Sequence, residues 1–158
     1  MHATQSMLYD ENTYSPSESV GYLIRGAWQN LLKNIDAEMH ELDLTGMQWG
    51  PLLFIAKSSC NTVTDCASAS FSDNAAMTRM LDRLEAKGFL YRVRNAQDRR
   101  IVNVELTGSG KEIARQIPAR LVRVLNHHLQ GFSMAELEMF KDMLRRFTEN
   151  GHTPMEAA

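Results

Sequence analysis

SDNAAMTRMLDRLEAKG, residues 72–88, is the stretch on which the fold turns. Ser72 and Asp73 are helix N-cap residue types, and Gly88 is the usual residue just past a helix end. Met77, Met80, Leu81 and Leu84 recur at three- and four-residue steps, so they form one buried stripe. At about 100° per residue, Ala75, Arg79, Asp82 and Ala86 point the opposite way, with Thr78 beside them. The outward face of this fourth helix therefore begins small and polar and carries an arginine.

Working outward, Thr62 caps a short third helix over 63–70, which makes a helix-turn-helix with the first stretch. Downstream, Phe89 to Arg94 and Ile101 to Leu106 are strand-like, with Val102, Val104 and Leu106 alternating with Asn103 and Glu105. The polar run 95–100 between them is a hairpin tip. Helix, turn, helix and hairpin together occupy residues 62–106. In such a unit the second helix enters the major groove, and its first residues meet base edges. Close approach needs small, hydrogen-bonding side chains there, and Ser72, Asn74, Ala75 and Thr78 have that character. Arg79 reaches a guanine edge or a phosphate. Arg94, Arg99 and Arg100 on the hairpin suit a minor groove, and Asp98 orients a neighbouring arginine by a charge-assisted bond.

The flanks read as helices. Residues 16–42 carry Val20, Ile24, Ala27, Trp28, Leu31 and Ile35 as an apolar stripe, with Ser15, Pro16 and Glu18 as start signals. A second helix is expected over 46–59, boxed by Thr45 and Gln48, with a bend or an altered first turn at Pro51. Thr107 caps a fifth helix to about Leu129, bent at Pro118. Ser133 and Glu136 open a sixth, with Leu137, Phe140, Leu144 and Phe147 on one face and Gly151 at its end. Residues 1–15 and 151–158 are expected to be a disordered segment and a flexible tail.

The chain has 158 residues, 44% hydrophobic and 23% charged, an ordinary single globular unit. No apolar run spans a bilayer, and residues 1–15 lack the plan of a secretory signal. Cys60 and Cys66 form no disulfide framework, so a reducing cytoplasm is the default. Net charge is −2, but residues 79–100 hold seven basic and three acidic side chains, or +4. A basic face on an acidic chain still attracts phosphates.

The run Met77-Thr78-Arg79-Met80-Leu81-Asp82-Arg83-Leu84-Glu85-Ala86-Lys87-Gly88-Phe89-Leu90, followed by Arg92, Asp98-Arg99-Arg100, Val104-Glu105-Leu106-Thr107 and Gly110, resembles the multiple antibiotic resistance regulator (MarR) family. Leu44-Thr45 and Gln48-Trp49 match it as well. The resemblance covers residues 17–150 and implies a mainly α, six-helix winged helix-turn-helix, with a small β-hairpin wing. The winged unit would occupy 45–106. Helices over 16–42 and 107–150 would join two copies into a homodimer on double-stranded DNA. It further implies a pseudo-palindromic operator, repression, and release by a small molecule or an oxidant. The recognition helix would be 72–88 and the wing 91–106, with Asp98 and Arg100 matching the family's Asp-x-Arg signature. One departure is Cys66-Ala67, where the family usually has Leu-Ala.

The family's effector cleft lies between the first, second and fifth helices. The segment Gly21-Tyr22-Leu23-Ile24-Arg25 resembles members that respond to aromatic acids, in which an arginine matching Arg25 clamps the carboxylate. A guanidinium fork suits a carboxylate bidentately. Trp28, Met39, Met47 and Trp49 would supply the walls. Leu31 replaces a ligand-contacting histidine of several relatives. Two rival readings stand beside this one: an inter-subunit ion pair for Arg25, and core packing for the tryptophans. A rival trigger is oxidation of Cys60 or Cys66, against which buried structural thiols are the commoner case. Metal and cofactor are not expected: His127 and His128 diverge on a helix and cannot chelate together. No phosphate-cradling loop or nucleophile elbow is present, so the chain reads as no enzyme. A protein-interaction dimer without DNA contact is the other class, and Arg79, Arg94 and residues 98–100 argue against it.

Overall fold

The computed structural model describes residues 8–98 and 101–152. The chain divides into two compact units, residues 1–124 and 125–158. Among the described residues there are six helices and one two-stranded sheet. None of these helices is long and apolar enough to cross a membrane.

In the first unit, α1 spans Val20–His40. Residues 16–18 expected at its start form a separate 3-10 turn, Pro16–Glu18. Ser15 makes no side-chain cap bond; Ser19 is the cap, its hydroxyl accepting from Tyr22 N at 3.3 Å. The segment before it is not featureless: Asp10 closes a turn on Asn12, and the Tyr9 hydroxyl accepts the Val20 N–H at 2.8 Å. α2 is Trp49–Ala56, shorter than expected at both ends. Gln48 Oε1 accepts the Thr45 N–H at 3.0 Å, which is half of the anticipated capping box. Of the two alternatives at Pro51 the altered first turn is found: residues 46–48 form a turn, α2 starts at Trp49, and Pro51 falls in the first turn, where a helix leaves its N–H groups unpaired. α3 is Val63–Ala69, capped by Thr62 through the Asp65 N–H at 3.2 Å. α4 is Asn74–Ala86; of the two candidate caps, Asp73 serves, accepting from Ala76 N at 2.7 Å.

β1 (Leu90–Arg94) and β2 (Val102–Leu106) pair antiparallel, Leu90 opposite Leu106 and Arg94 opposite Val102. Asn61 and Thr62 run along the other edge of β2: Thr62 bridges Asn103, and Val104 N donates to Asn61 O at 2.8 Å. α5, Gly108–His128, opens with Thr107 Oγ1 accepting from Gly110 N at 3.0 Å and runs helically through Pro118. Leu52, Met77, Leu81, Leu84, Leu90 and Ile117 are almost wholly buried and form the centre of the core. Each such side chain contributes about 1.5–3 kcal/mol of apolar burial. Arg120 and Arg123 of α5 bind Glu38 of α1, and Arg120 also binds Glu41 at 2.7 Å. The guanidinium of Arg120 holds the exposed Glu41 carboxyl below its ordinary range, first by hydrogen bond and then by charge.

α1, α2, α3 and α4 end alike. The second residue after each helix's last turn donates back to the carbonyl five residues earlier, and the residue before it takes a left-handed φ. Glycine suits that position and Gly88 fills it after α4. Asp43, Ser58 and Phe71 fill it after α1, α2 and α3, with φ of 55°, 55° and 50°. For a residue with a Cβ this backbone costs roughly 1–2 kcal/mol.

Cys60 and Cys66, expected as buried thiols, are buried but joined in a disulfide. The first turns of α3 bring Cys66 to within 5.2 Å of Cys60, Cα to Cα, inside the range a disulfide spans. The bond stands where a leucine was the expected core side chain, and α3 buries only Cys66 and Ala67.

The second unit holds the last turn of α5 and α6, Met134–His152, one residue beyond the expected end at Gly151. Its start is a complete capping box. Ser133 N and Oγ both donate to Glu136 Oε2, at 2.8 and 2.7 Å, and Glu136 N donates to Ser133 Oγ at 3.3 Å. These bonds, first from the Ser133 backbone and then from its hydroxyl, hold the Glu136 carboxyl below the ordinary glutamate range. α6 has no buried residue, and Phe140, Leu144 and Phe147 of its apolar face are exposed.

Candidate nucleic-acid interface

The buried stripe of α4 fixes what the helix shows to solvent. With Met77, Leu81 and Leu84 in the core, Asn74, Ala75, Thr78 and Arg79 are exposed along one side, and Ser72 is half-buried just before them. The Thr78 hydroxyl donates to Asn74 O at 2.7 Å, which leaves its oxygen free to accept. Arg79 makes no ion pair among the described residues, so its guanidinium is available to a partner. The Asp73 carboxylate at the N-cap is occupied by the Ala76 N–H.

The hairpin is fastened to this helix. Arg92 of β1 binds Asp82 at 2.7 Å and Glu85 in a closer pair, and its backbone N–H donates to Glu85 Oε1 at 3.1 Å. Lys87 at the end of α4 reaches the turn after α1, pairing with Asp43 Oδ1 at 3.4 Å and meeting Gln48 Oε1 at the same distance. Two of the seven basic residues counted as one face therefore serve as internal clamps. Their positions in the chain match those of the remaining arginines, and only the tertiary arrangement separates the two groups. Arg79, Arg83 and Arg94 stay exposed.

At the tip, Asn95 Oδ1 accepts from Gln97 N at 2.8 Å and Asp98 N at 3.1 Å. Asn95 N donates to Ile101 O at 2.9 Å, which closes the turn and holds Asp98 at the apex. Arg99 and Arg100 lie outside the described residues. Across the strands, the Tyr91 hydroxyl donates to Glu105 Oε2 at 2.8 Å; that bond and the carboxylate's charge raise the phenol's pKa. Phe71, not singled out by the sequence reading, stands in the turn before α4 with 86% of its surface exposed. Its signal was an aromatic residue between two helices and outside both apolar stripes.

The residues expected to form the effector cleft differ in their surroundings in the single chain. Met39 is wholly buried in the core, and Trp49 is half-buried with its ring 6.5 Å from that of Phe54. Arg25 and Trp28 are exposed on α1. Met47 lines a shallow groove of about 350 Å³ with Gln29, Leu32, Lys33, Asp36 and Gly46. Arg25 precedes Gln29 by one turn on the same side of α1.

The MarR family sequence profile matches residues 44–102, the winged unit. The multiple antibiotic resistance protein MarR of Salmonella typhimurium is 33% identical over 131 residues, covering 80% of this chain and 89% of that protein. A MarR mutant of Escherichia coli in complex with operator DNA superposes with a TM-score of 0.75. It is 28% identical, with 80% of this chain and 91% of that one covered. BpsR of Bordetella bronchiseptica, whose DNA binding is regulated by 6-hydroxynicotinic acid, superposes at 0.77 with 25% identity, covering 85% and 96%. The recognition helix, the clamped wing and these likenesses agree: the chain belongs to the MarR family of winged-helix DNA-binding transcription regulators.

Proposed function

We propose that the chain is a cytoplasmic homodimeric repressor that binds a pseudo-palindromic operator and is released by a small aromatic carboxylate. The observation that carries the ligand reading is Arg25. It is an exposed guanidinium without an ion pair among the described residues, one helical turn from the groove that Gln29, Lys33 and Met47 line. A carboxylate is the group such a fork binds best, and the apolar rim suits a ring. BpsR's 6-hydroxynicotinic acid is a compound of this class. The uncovered apolar side of α6 supports a dimer, because soluble monomers rarely expose contiguous apolar surface of this kind. On the DNA side, Ser72, Asn74, Ala75, Thr78 and Arg79 read the major groove. Arg94, Asp98, Arg99 and Arg100 carry the wing contact. The test is titration of benzoate and pyridine carboxylates into a protein–operator complex followed by fluorescence anisotropy. Release is expected for wild type and at much higher concentration for Arg25→Ala; equal release by both removes Arg25 from the site.

A further inference from the structure

Phe71 is the feature that the fold does not use. Its backbone φ is +50°, at the position after α3 where the same hydrogen-bonded ending takes glycine after α4. A bulky side chain is a true outlier in that region. Beside it, the Ser70 hydroxyl is buried with no hydrogen-bond partner among the described residues. The ring gains nothing from packing, since it is 86% exposed. Strain of this kind concentrates where a residue serves a partner.

The partner follows from place. Phe71 lies two residues before the Asp73 cap of α4, continuous with the exposed Asn74, Ala75, Thr78 and Arg79, the residues proposed above to read DNA. Ser72 N donates to Ala67 O at 2.9 Å and Phe71 N to Ser68 O at 3.2 Å. Both backbone bonds hold the ring's attachment point fixed relative to α3. DNA offers one apolar group in the major groove, the thymine C5-methyl, and phenylalanine is among the side chains that contact it. We propose that Phe71 is a specificity residue of the recognition unit, its ring packing against a thymine methyl at the edge of each half-site.

The proposal rests on α4 facing DNA, and its test separates the two. Bound fragments are first selected from random duplexes with the wild-type protein. Thymines of the selected site are then replaced singly by deoxyuridine, which removes only the methyl. Wild type is expected to lose about three- to tenfold in affinity at one thymine per half-site, around the low end of what a single base contact contributes. Phe71→Gly should melt at a higher temperature than wild type, bind the selected site more weakly, and be indifferent to the same deoxyuridine. Phe71→Asn, which tolerates the left-handed backbone, should behave likewise. Retained affinity in both variants, or a wild type insensitive to every deoxyuridine, overturns the proposal. If wild type selects no duplex at all, the failure lies instead with the assignment of α4 to DNA.

Discussion

Replacing Gly110 by alanine tests how closely α5 is seated on the end of α4 and the hairpin. A Cβ at Gly110 would lie 1.8 Å from the Phe89 carbonyl oxygen and 2.8 Å from its carbon. Real Cβ contacts essentially never fall under 3.0 Å, so the two backbones must part by 3.0 minus 1.8, or 1.2 Å. No side-chain rotation relieves this, because the obstacle is main chain. The same carbonyl accepts the Thr107 N–H at 3.1 Å, so parting the segments also weakens that bond. Overpacking costs roughly 1–3 kcal/mol and sometimes more, and a rigid target puts this case at about 3 kcal/mol. Alanine's better helix propensity offsets up to ~1 kcal/mol, leaving a loss of about 2 kcal/mol. For a chain of this size that lowers the melting temperature by roughly 4–8 °C. Gly108→Ala, where an added Cβ meets nothing within 4 Å, is the matched control and should melt with the wild type or slightly above it. Thermal unfolding of the three proteins side by side decides the matter. A Gly110→Ala protein as stable as Gly108→Ala would refute the reasoning.

Two further outcomes follow from the structure. Opening the Cys60–Cys66 bond frees a loop with a sequence separation of 6. That removes about 2 kcal/mol of chain-entropy stabilisation, so thiol reductant should lower the melting temperature by several degrees; coincident melts count against it. The Glu136 carboxyl is held below the ordinary glutamate range in the native chain, so its contribution is complete above the unfolded chain's value, about pH 4.3, and disappears as pH falls through the lower native one. The stability gap between wild type and Ser133→Ala should therefore shrink on acidification, and a gap constant with pH would show that the box is not the source.

What the sequence made legible was what it encodes locally. The caps of α3, α4 and α6 are side chains acting on N–H groups three residues away, and Thr62, Asp73 and Ser133 act as read. The stripe of α4 is likewise local, and its complement is the exposed side that carries Asn74, Ala75, Thr78 and Arg79. The start of α1 was misplaced because Ser15 and Ser19 are equally good caps by type. The choice falls on Ser19 with the Val20 N–H taken by Tyr9, eleven residues away. The clamping roles of Lys87 and Arg92 were invisible for the same reason, since their partners are met only after the chain folds back. The disulfide needed the three-dimensional path from the end of α2 into α3. The open backbone turn at Phe71 required knowing that α3 ends in a left-handed residue at that point.

The hairpin is secured at its base from three sides: Arg92 against α4, Asn61 and Thr62 along β2, and Leu90, Val104 and Leu106 beneath. Asn95, Ala96 and Gln97 lie beyond these three attachments. Residues 95–98 close on themselves through the Asn95 side chain and the Ile101 carbonyl. The mount is thus fixed by side chains and backbone outside the turn. A change of sequence at residues 95–97 leaves the strand pairing and its anchorage to α4 in place, so variation there does not rebuild the body that carries it.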